Sequence, residues 1–283
     1  MGKQTGKTST SSPINSSEFQ LLTQKILSNR KYRNLEIPLE TVENLISQAS
    51  IGTTDLRGIE KIVRQKMHTI IAPYLGDPDY DKAEKDLTNA YKNNDPQEME
   101  QFCLNILSTH ASTRERVPIL RDFYEQLFHH TGTPEVILDL ACGLNPFSLP
   151  WMGLPLTTKY YAYDLNEPRL SLINHFFLAI KHQPLTYKQD VLVSPPKVKA
   201  EVAFFFKEAH RFEDRQRGCN RAFWQAVQAR HLLISLPTVN LNGNHSLIDQ
   251  QRRLVARTVD GLNWKVIEIL FQNEIVFCIE KES

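Results

Sequence analysis

The feature that most constrains this chain is an alternation that begins after Gly132. Short apolar runs, each ending in a polar or chain-breaking residue, are separated by longer stretches with helical spacing. The run at 136–140 leads to Gly143, 160–163 to Asp164, 185–187 to Asp190, 202–206 to Lys207 and 232–236 to Pro237. Helix-like stretches at about 169–181, 213–229 and 247–260 separate most of them. Apolar strands alternating with helices predict an α/β fold with a doubly wound, mostly parallel sheet covered on both faces. The last two runs, 264–270 and 275–279, flank Asn273 and Glu274. That connection is too short for a parallel crossover, so they predict an antiparallel hairpin at the end of the sheet.

The front of the chain reads differently. Residues 1–17 are polar and rich in Ser and Thr, which predicts a disordered tail. They lack the apolar stretch of a secretory signal, and Gly6 stands where a myristoylation pattern needs Ser or Thr. From residue 18 to about 107, apolar residues recur at helical spacing, as in Ile59, Ile62, Val63 and Met67, with Asp55 placed as an N-cap. Pro38, Gly52, Pro73 and Pro96 read as breaks. The expected organisation is a tail over 1–17, an all-helical domain over 18–108 and the α/β domain over 109–283.

No apolar run approaches the roughly 18–20 residues that span a bilayer. The four cysteines lie far apart without a CxxC pair, so neither a metal site nor a disulfide framework is expected. The expectation is a soluble, cytoplasmic monomer. The net charge of +1 is unevenly spread. Residues 1–75 carry 10 Lys/Arg against 6 Asp/Glu, and residues 76–150 carry 6 against 13. A basic front is compatible with nucleic-acid contact and equally with ordinary solvated helix faces.

A doubly wound sheet binds small molecules at the carboxyl ends of its strands. After the first run comes Asp139-Leu-Ala-Cys-Gly143-Leu-Asn145-Pro146, with one glycine, so the three-glycine dinucleotide fingerprint is absent. A pyrophosphate wants several backbone N–H groups, whereas a nucleoside carrying an amino acid needs fewer. Gly143 suits a close pass beneath such a ligand, or a simple turn. Asp164 can accept from two ribose hydroxyls, or cap a loop. Asp190 can accept from an adenine amino group with the Val191 N–H reading the ring, or start a turn. Ser112 and Glu115 form a capping-box pattern that predicts a helix start. Arg116 would then oppose the helix dipole, which suggests a two-point grip on a carboxylate or else a surface ion pair.

HASTRER at 110–116, LDLACGLNP at 138–146, Pro150-Trp151-Met152 and Ser-Leu-Pro-Thr at 235–238 resemble the aminoglycoside-resistance 16S rRNA (guanine(1405)-N(7))-methyltransferases. The resemblance covers about residues 31–281. It implies a Rossmann-like methyltransferase fold behind a helical RNA-binding domain, with S-adenosyl-L-methionine as methyl donor and 16S rRNA within the 30S subunit as substrate. By position, it implies that His110, Ala111, Ser112 and Arg116 meet the methionine part of the cofactor. Ala141 and Gly143 line the loop under it, Asp164 holds the ribose, and Asp190 and Val191 hold the adenine. Phe206 and Tyr74 match an apolar and an aromatic cofactor contact. Lys31, Arg33, Arg57, Arg64 and Lys66 are expected to capture RNA, and Lys207 to meet a phosphate of the target nucleotide. Three departures stand out. After Lys207, Glu208-Ala-His210 replaces a usual Thr-Leu-Pro. Arg215 replaces a common Gln, and Val239-Asn-Leu-Asn-Gly-Asn244 replaces a basic, glycine-rich loop. A methyltransferase acting on another base, or a non-catalytic RNA-binding relative, are the competing readings.

Overall fold

In the computed structural model, residues 14–30, 37–72, 76–240 and 245–282 are described. The chain forms two compact units that divide at 73/74.

The first unit contains α1 (Ser16–Leu27), α2 (Leu39–Ala49) and α3 (Leu56–Ile71). Each turns one apolar stripe inward: Leu22 and Ile26, then Val42, Leu45 and Ile46, then Ile59, Val63 and Met67. Asp55 caps α3 as its position predicts, accepting from the Arg57 N–H. Order begins earlier than the expected tail allows. Asn15 caps α1 and exchanges hydrogen bonds with Glu18, satisfying two end N–H groups reciprocally. Residues 1–13 lie outside the described residues.

The second unit opens with α4 (Tyr80–Asn93) and α5 (Pro96–Thr109). The sequence places these helices in the front domain. The structure places them with the sheet, because Ala83, Leu87, Phe102, Ile106 and Leu107 join the core on one sheet face. Pro96 starts a helix rather than ending one. It sits at the first helical position behind the Asp95 cap, where its missing N–H costs nothing. Then follow α6 (Ala111–Arg114), a 3₁₀ turn at 117–119 and α7 (Leu120–Thr131).

Seven strands follow: β1 (Val136–Leu140), β2 (Lys159–Asp164), β3 (Thr186–Lys188), β4 (Ala200–Phe206), β5 (Ala229–Pro237), β6 (Lys265–Leu270) and β7 (Glu274–Glu280). Their order is β3-β2-β1-β4-β5-β7-β6. The first five are parallel, and β7 runs antiparallel between β5 and β6, so the expected hairpin is present with its second strand inserted inward. The burial pattern gives the reason, because β7 is buried almost throughout while five of the six β6 residues are exposed.

The sheet is covered on both sides. Ile137, Tyr160, Phe204, Phe206 and Leu233 face α4, α5, α7 and α8 (Glu167–Ala179). Leu138, Leu140, Phe205, Leu232 and Ile234 face α9 (Ala209–Arg215), α10 (Cys219–Ala226) and α11 (Ile248–Val259). The alternation of Phe204 and Phe206 against Phe205 is the two-residue period of a strand buried on both faces. The helical spacing over 213–229 predicts one helix; the structure splits it, with Gly218 at φ +77° supplying the break between α9 and α10. No helix among the described residues is long and apolar enough to cross a membrane.

Candidate cofactor and substrate site

Strand order reverses direction between β1 and β4, and such a point opens a crevice at the carboxyl ends of the strands. Two non-glycine residues with left-handed backbone flank it: Ala141 (φ +54°) after β1 and Lys207 (φ +58°) after β4. Each costs on the order of 1–2 kcal/mol, and such strain collects where geometry serves a function. Gly143 also has positive φ (+55°), but an added Cβ would meet nothing nearer than Arg169 Nη1 at 3.9 Å. Backbone conformation, not crowding, explains the glycine.

Asp164 organises this crevice. Its Oδ2 accepts from Gly143 N–H (2.9 Å) and Arg169 Nη1 (2.9 Å), and its Oδ1 accepts from Leu165 N–H (2.7 Å) and Asn166 N–H (3.0 Å). The β1 loop and the β2 end are thereby locked together. Arg169 reaches on to Asp77, which also accepts from Asn166 Nδ2 at 3.2 Å and from the Tyr80 hydroxyl. The segment before α4 is tied to the same carboxylate. Tyr74, expected as an aromatic cofactor contact, lies outside the described residues.

The 110–116 segment folds otherwise than its capping-box pattern predicts. α6 begins at Ala111, and His110 is its cap, with Nδ1 accepting from Ser112 N–H at 3.3 Å. Glu115 turns to the Lys207 ammonium instead of back to the helix. Arg116 falls after α6, so the dipole argument does not apply to it. The two-point grip does apply, but on a carboxylate of the chain itself. Arg116 Nε donates to Glu274 Oε2 (2.7 Å) and Nη2 to Glu274 Oε1 (2.5 Å). Further N–H groups go to Asn145 Oδ1 and Ser235 Oγ. Four of the five guanidinium N–H groups are thus engaged within the protein. The guanidinium also lies over the rings of Phe206 (4.5 Å) and Phe123 (4.8 Å). Burial opposes the charge on Glu274, yet Arg116 and Lys207 beside it hold its carboxyl below the usual range. Lys207, expected on a phosphate, is 8% exposed, with its ammonium on Glu115 and 3.8 Å from Glu274. It is a counter-ion in this cluster.

Asp190 follows β3 and is held by a second fork, from Arg215. Val191 is buried in the core facing α9–α11. Beyond Lys207, burial pushes the Glu208 carboxyl up to about 7, and burial, with Arg211 and Lys207 nearby, lowers the His210 imidazole to about 4. Behind β1, Asp139 accepts from the Tyr160 hydroxyl (2.6 Å) and Asn145 Nδ2 (3.0 Å). Burial pushes its carboxyl up to about 7.

In the first unit, α3 carries Arg57 and Arg64 seven residues apart, hence on one helical face, with Lys61 between them. Arg64 pairs with Glu60 at 2.7 Å. Lys66 lies off that face and donates to Gln48 at 3.3 Å. Lys31 and Arg33 lie outside the described residues.

The chain matches the family described as ribosomal RNA methyltransferase (FmrO) over residues 28–278. It belongs to that family. A relative from Frankia casuarinae, a 16S rRNA (guanine(1405)-N(7))-methyltransferase, is 30% identical over 241 residues, covering 82% of this chain and 83% of that protein. One of the same description from Micromonospora rosea is 26% identical over 264 residues, covering 92% and 96%. The crystal structure of the 16S rRNA methyltransferase RmtF in complex with S-adenosyl-L-homocysteine is similar in fold, with a TM-score of 0.75 and 23% identity over 95% of this chain and all of that one.

For this FmrO-family methyltransferase, the structure gathers Ala141, Gly143, Asp164, Asp190, Arg116, Phe206 and Lys207 at or beside the strand ends that their sequence positions indicate. Ala111 is exposed, while His110 and Ser112 are partly exposed. Sequence reasoning missed the partners: Asp77, Glu115, Asn145, Arg169, Ser235 and Glu274. Asn145 stands inside the LDLACGLNP block, where its position after the glycine was a usable signal. Glu274 and Asp77 come from distant segments, and no local pattern marks them.

Proposed function

We propose that this chain transfers a methyl group from S-adenosyl-L-methionine to N7 of guanine 1405 of 16S rRNA in the 30S decoding site, and so confers aminoglycoside resistance. The observation that carries this reading is the family match over residues 28–278, which spans the whole strand-end site. Relatives that cover most of the chain carry that activity in their descriptions.

The donor set fits the cofactor. One carboxylate, Asp164, ends β2 and another, Asp190, lies just after β3, and the β1 loop takes left-handed backbone at Ala141 and Gly143, which lets main chain approach a ligand closely. Asp164 would hold the ribose, Asp190 and Val191 the adenine, and His110, Ser112 and the remaining N–H of Arg116 the methionine end. When bound, S-adenosyl-L-methionine supplies an electrophilic methyl on a sulfonium. Guanine N7 carries a free lone pair and needs no proton removed, so the chain has no general base to provide. Its residues act by alignment, holding donor and base in line. Burial pushes the Cys142 thiol well above its ordinary range, which agrees with a loop residue that has no nucleophilic role.

The helical front, with Arg57 and Arg64 on one face of α3, Lys66 two residues on, and Lys31 and Arg33 earlier in the same segment, would capture rRNA by phosphate contacts. The enzyme would act in the cytoplasm as a monomer. The neutral residues of 239–244, of which 241–244 lie outside the described residues, favour a second reading in which another base is the target. Expression in an aminoglycoside-susceptible bacterium tests the proposal. Resistance that disappears with Asp190→Ala is expected, and full susceptibility with abundant folded protein would overturn it.

A further inference from the structure

Arg215, the last residue of α9, closes a two-point ion pair on Asp190. Nη1 donates to Oδ1 at 3.0 Å and Nη2 to Oδ2 at 2.6 Å. The side chains are 6% and 2% exposed. Asp190 is also fixed from its own side, because Oδ1 accepts from the Leu192 and Val193 N–H groups at 3.2 and 3.4 Å. Arg215 stands on a well-anchored element. Phe212 of α9 packs edge-on against Phe205 of β4, and Glu213 accepts from Gly218 N–H and Asn220 Nδ2, each at 2.8 Å. The carboxylate is therefore held in one plane by a turn on one side and a rigid fork on the other.

A buried ion pair adds little net stability over a packed apolar pair, so its presence points to what it does to the carboxylate. A guanidinium that donates through two N–H groups uses lone pairs on both oxygens, and the group it holds can only accept. An acceptor-only group of fixed plane welcomes an amino group and rejects a carbonyl at the same place.

We propose that Arg215 is a positioning residue that makes Asp190 a selector for the exocyclic amino group of the cofactor's adenine, against the 6-oxo group of a hypoxanthine. This rests on the reading above that the adenine lies at the β3 end. Lysine cannot substitute, because a point charge fixes neither plane nor direction.

Calorimetric titration with S-adenosyl-L-homocysteine and S-inosyl-L-homocysteine, in which the 6-amino group becomes 6-oxo and N1 gains a proton, tests it through the change in their ratio on altering Arg215. The wild type is expected to prefer the adenosyl compound by at least ~100-fold, since sites built around a hydrogen bond reject analogues strongly. Arg215→Lys and Arg215→Gln, checked for folding by thermal melting, are expected to cut that ratio by at least ~10-fold. A purely structural role would lower both affinities together and leave the ratio unchanged, which overturns the proposal. So does a wild type that binds both compounds equally, an outcome that needs no folded variant. A wild type that binds neither compound contradicts the cofactor reading itself and not only the role of Arg215.

Discussion

Arg116 and Glu274, 158 positions apart, close a two-point ion pair in which each side chain is less than one-twentieth exposed. The pair joins the segment after α6 to the start of β7, and Lys207 and Glu115 extend it to the end of β4. Removing one partner leaves a buried charge. Glu274→Gln is therefore expected to lower the unfolding free energy by about 3 kcal/mol, read from urea denaturation. An unchanged midpoint would show that the cluster does not hold these elements together.

Asp164 is the second joint. Its two oxygens accept from Gly143, Leu165, Asn166 and Arg169, so the carboxylate shapes the β1 loop besides its proposed role toward the ribose. Asp164→Asn cannot satisfy the same four donors, because its amide nitrogen is itself a donor. The expected result is at least ~10-fold weaker S-adenosyl-L-homocysteine binding, since about 1.4 kcal/mol suffices for that loss and each hydrogen bond to a charged group is worth more. Calorimetry showing wild-type affinity would remove Asp164 from the site.

Much of this was legible in the chain because strand ends leave a local mark. An apolar run that stops at Asp164, Asp190 or Lys207 names both the strand and the residue at its carboxyl end. Partners left no such mark. Glu274 reaches Arg116, and Asp77 reaches Arg169, only after crossovers that no periodicity encodes. The domain boundary was misplaced for a related reason. The helices α4 and α5 have the same amphipathic pattern as α1–α3, and the pattern does not say which core receives it. The His110 cap was hidden because Ser112 and Glu115 offered a stronger local signal, which the demand of Lys207 for Glu115 overrode.

The Asp139 carboxyl gives a pH dependence with a definite sign. Burial pushes it up to about 7, against the pull of hydrogen bonds from Tyr160 and Asn145. A carboxyl raised on folding holds its proton more tightly in the folded state. Its stabilising contribution is complete below its ordinary value of 3.8 and is lost as pH rises through about 7. Between those limits the wild type should lose stability relative to Asp139→Asn, by up to about 1.4 kcal/mol per pH unit. Glu208 and His210 titrate in both proteins and cancel from the comparison. Parallel stability–pH curves would contradict this assignment.

The first unit should act on RNA and not on the cofactor. Arg57→Ala and Arg64→Ala are each expected to weaken binding to 30S subunits and to flatten the salt dependence by about one unit of slope, with S-adenosyl-L-homocysteine affinity unchanged. Filter binding across a salt series reads the slope. Wild-type slopes in both variants would make these residues ordinary surface charges.

The most direct test locates the methyl group. Purified 30S subunits are incubated with the protein and S-adenosyl-L-methionine, the 16S rRNA is treated with borohydride and aniline to cleave at N7-methylguanine, and primer extension reads the break. Cleavage at guanine 1405 that needs both protein and donor, and that Asp164→Asn diminishes, is the expected result. Cleavage at another guanine, or intact rRNA after incubation with folded protein, would contradict it.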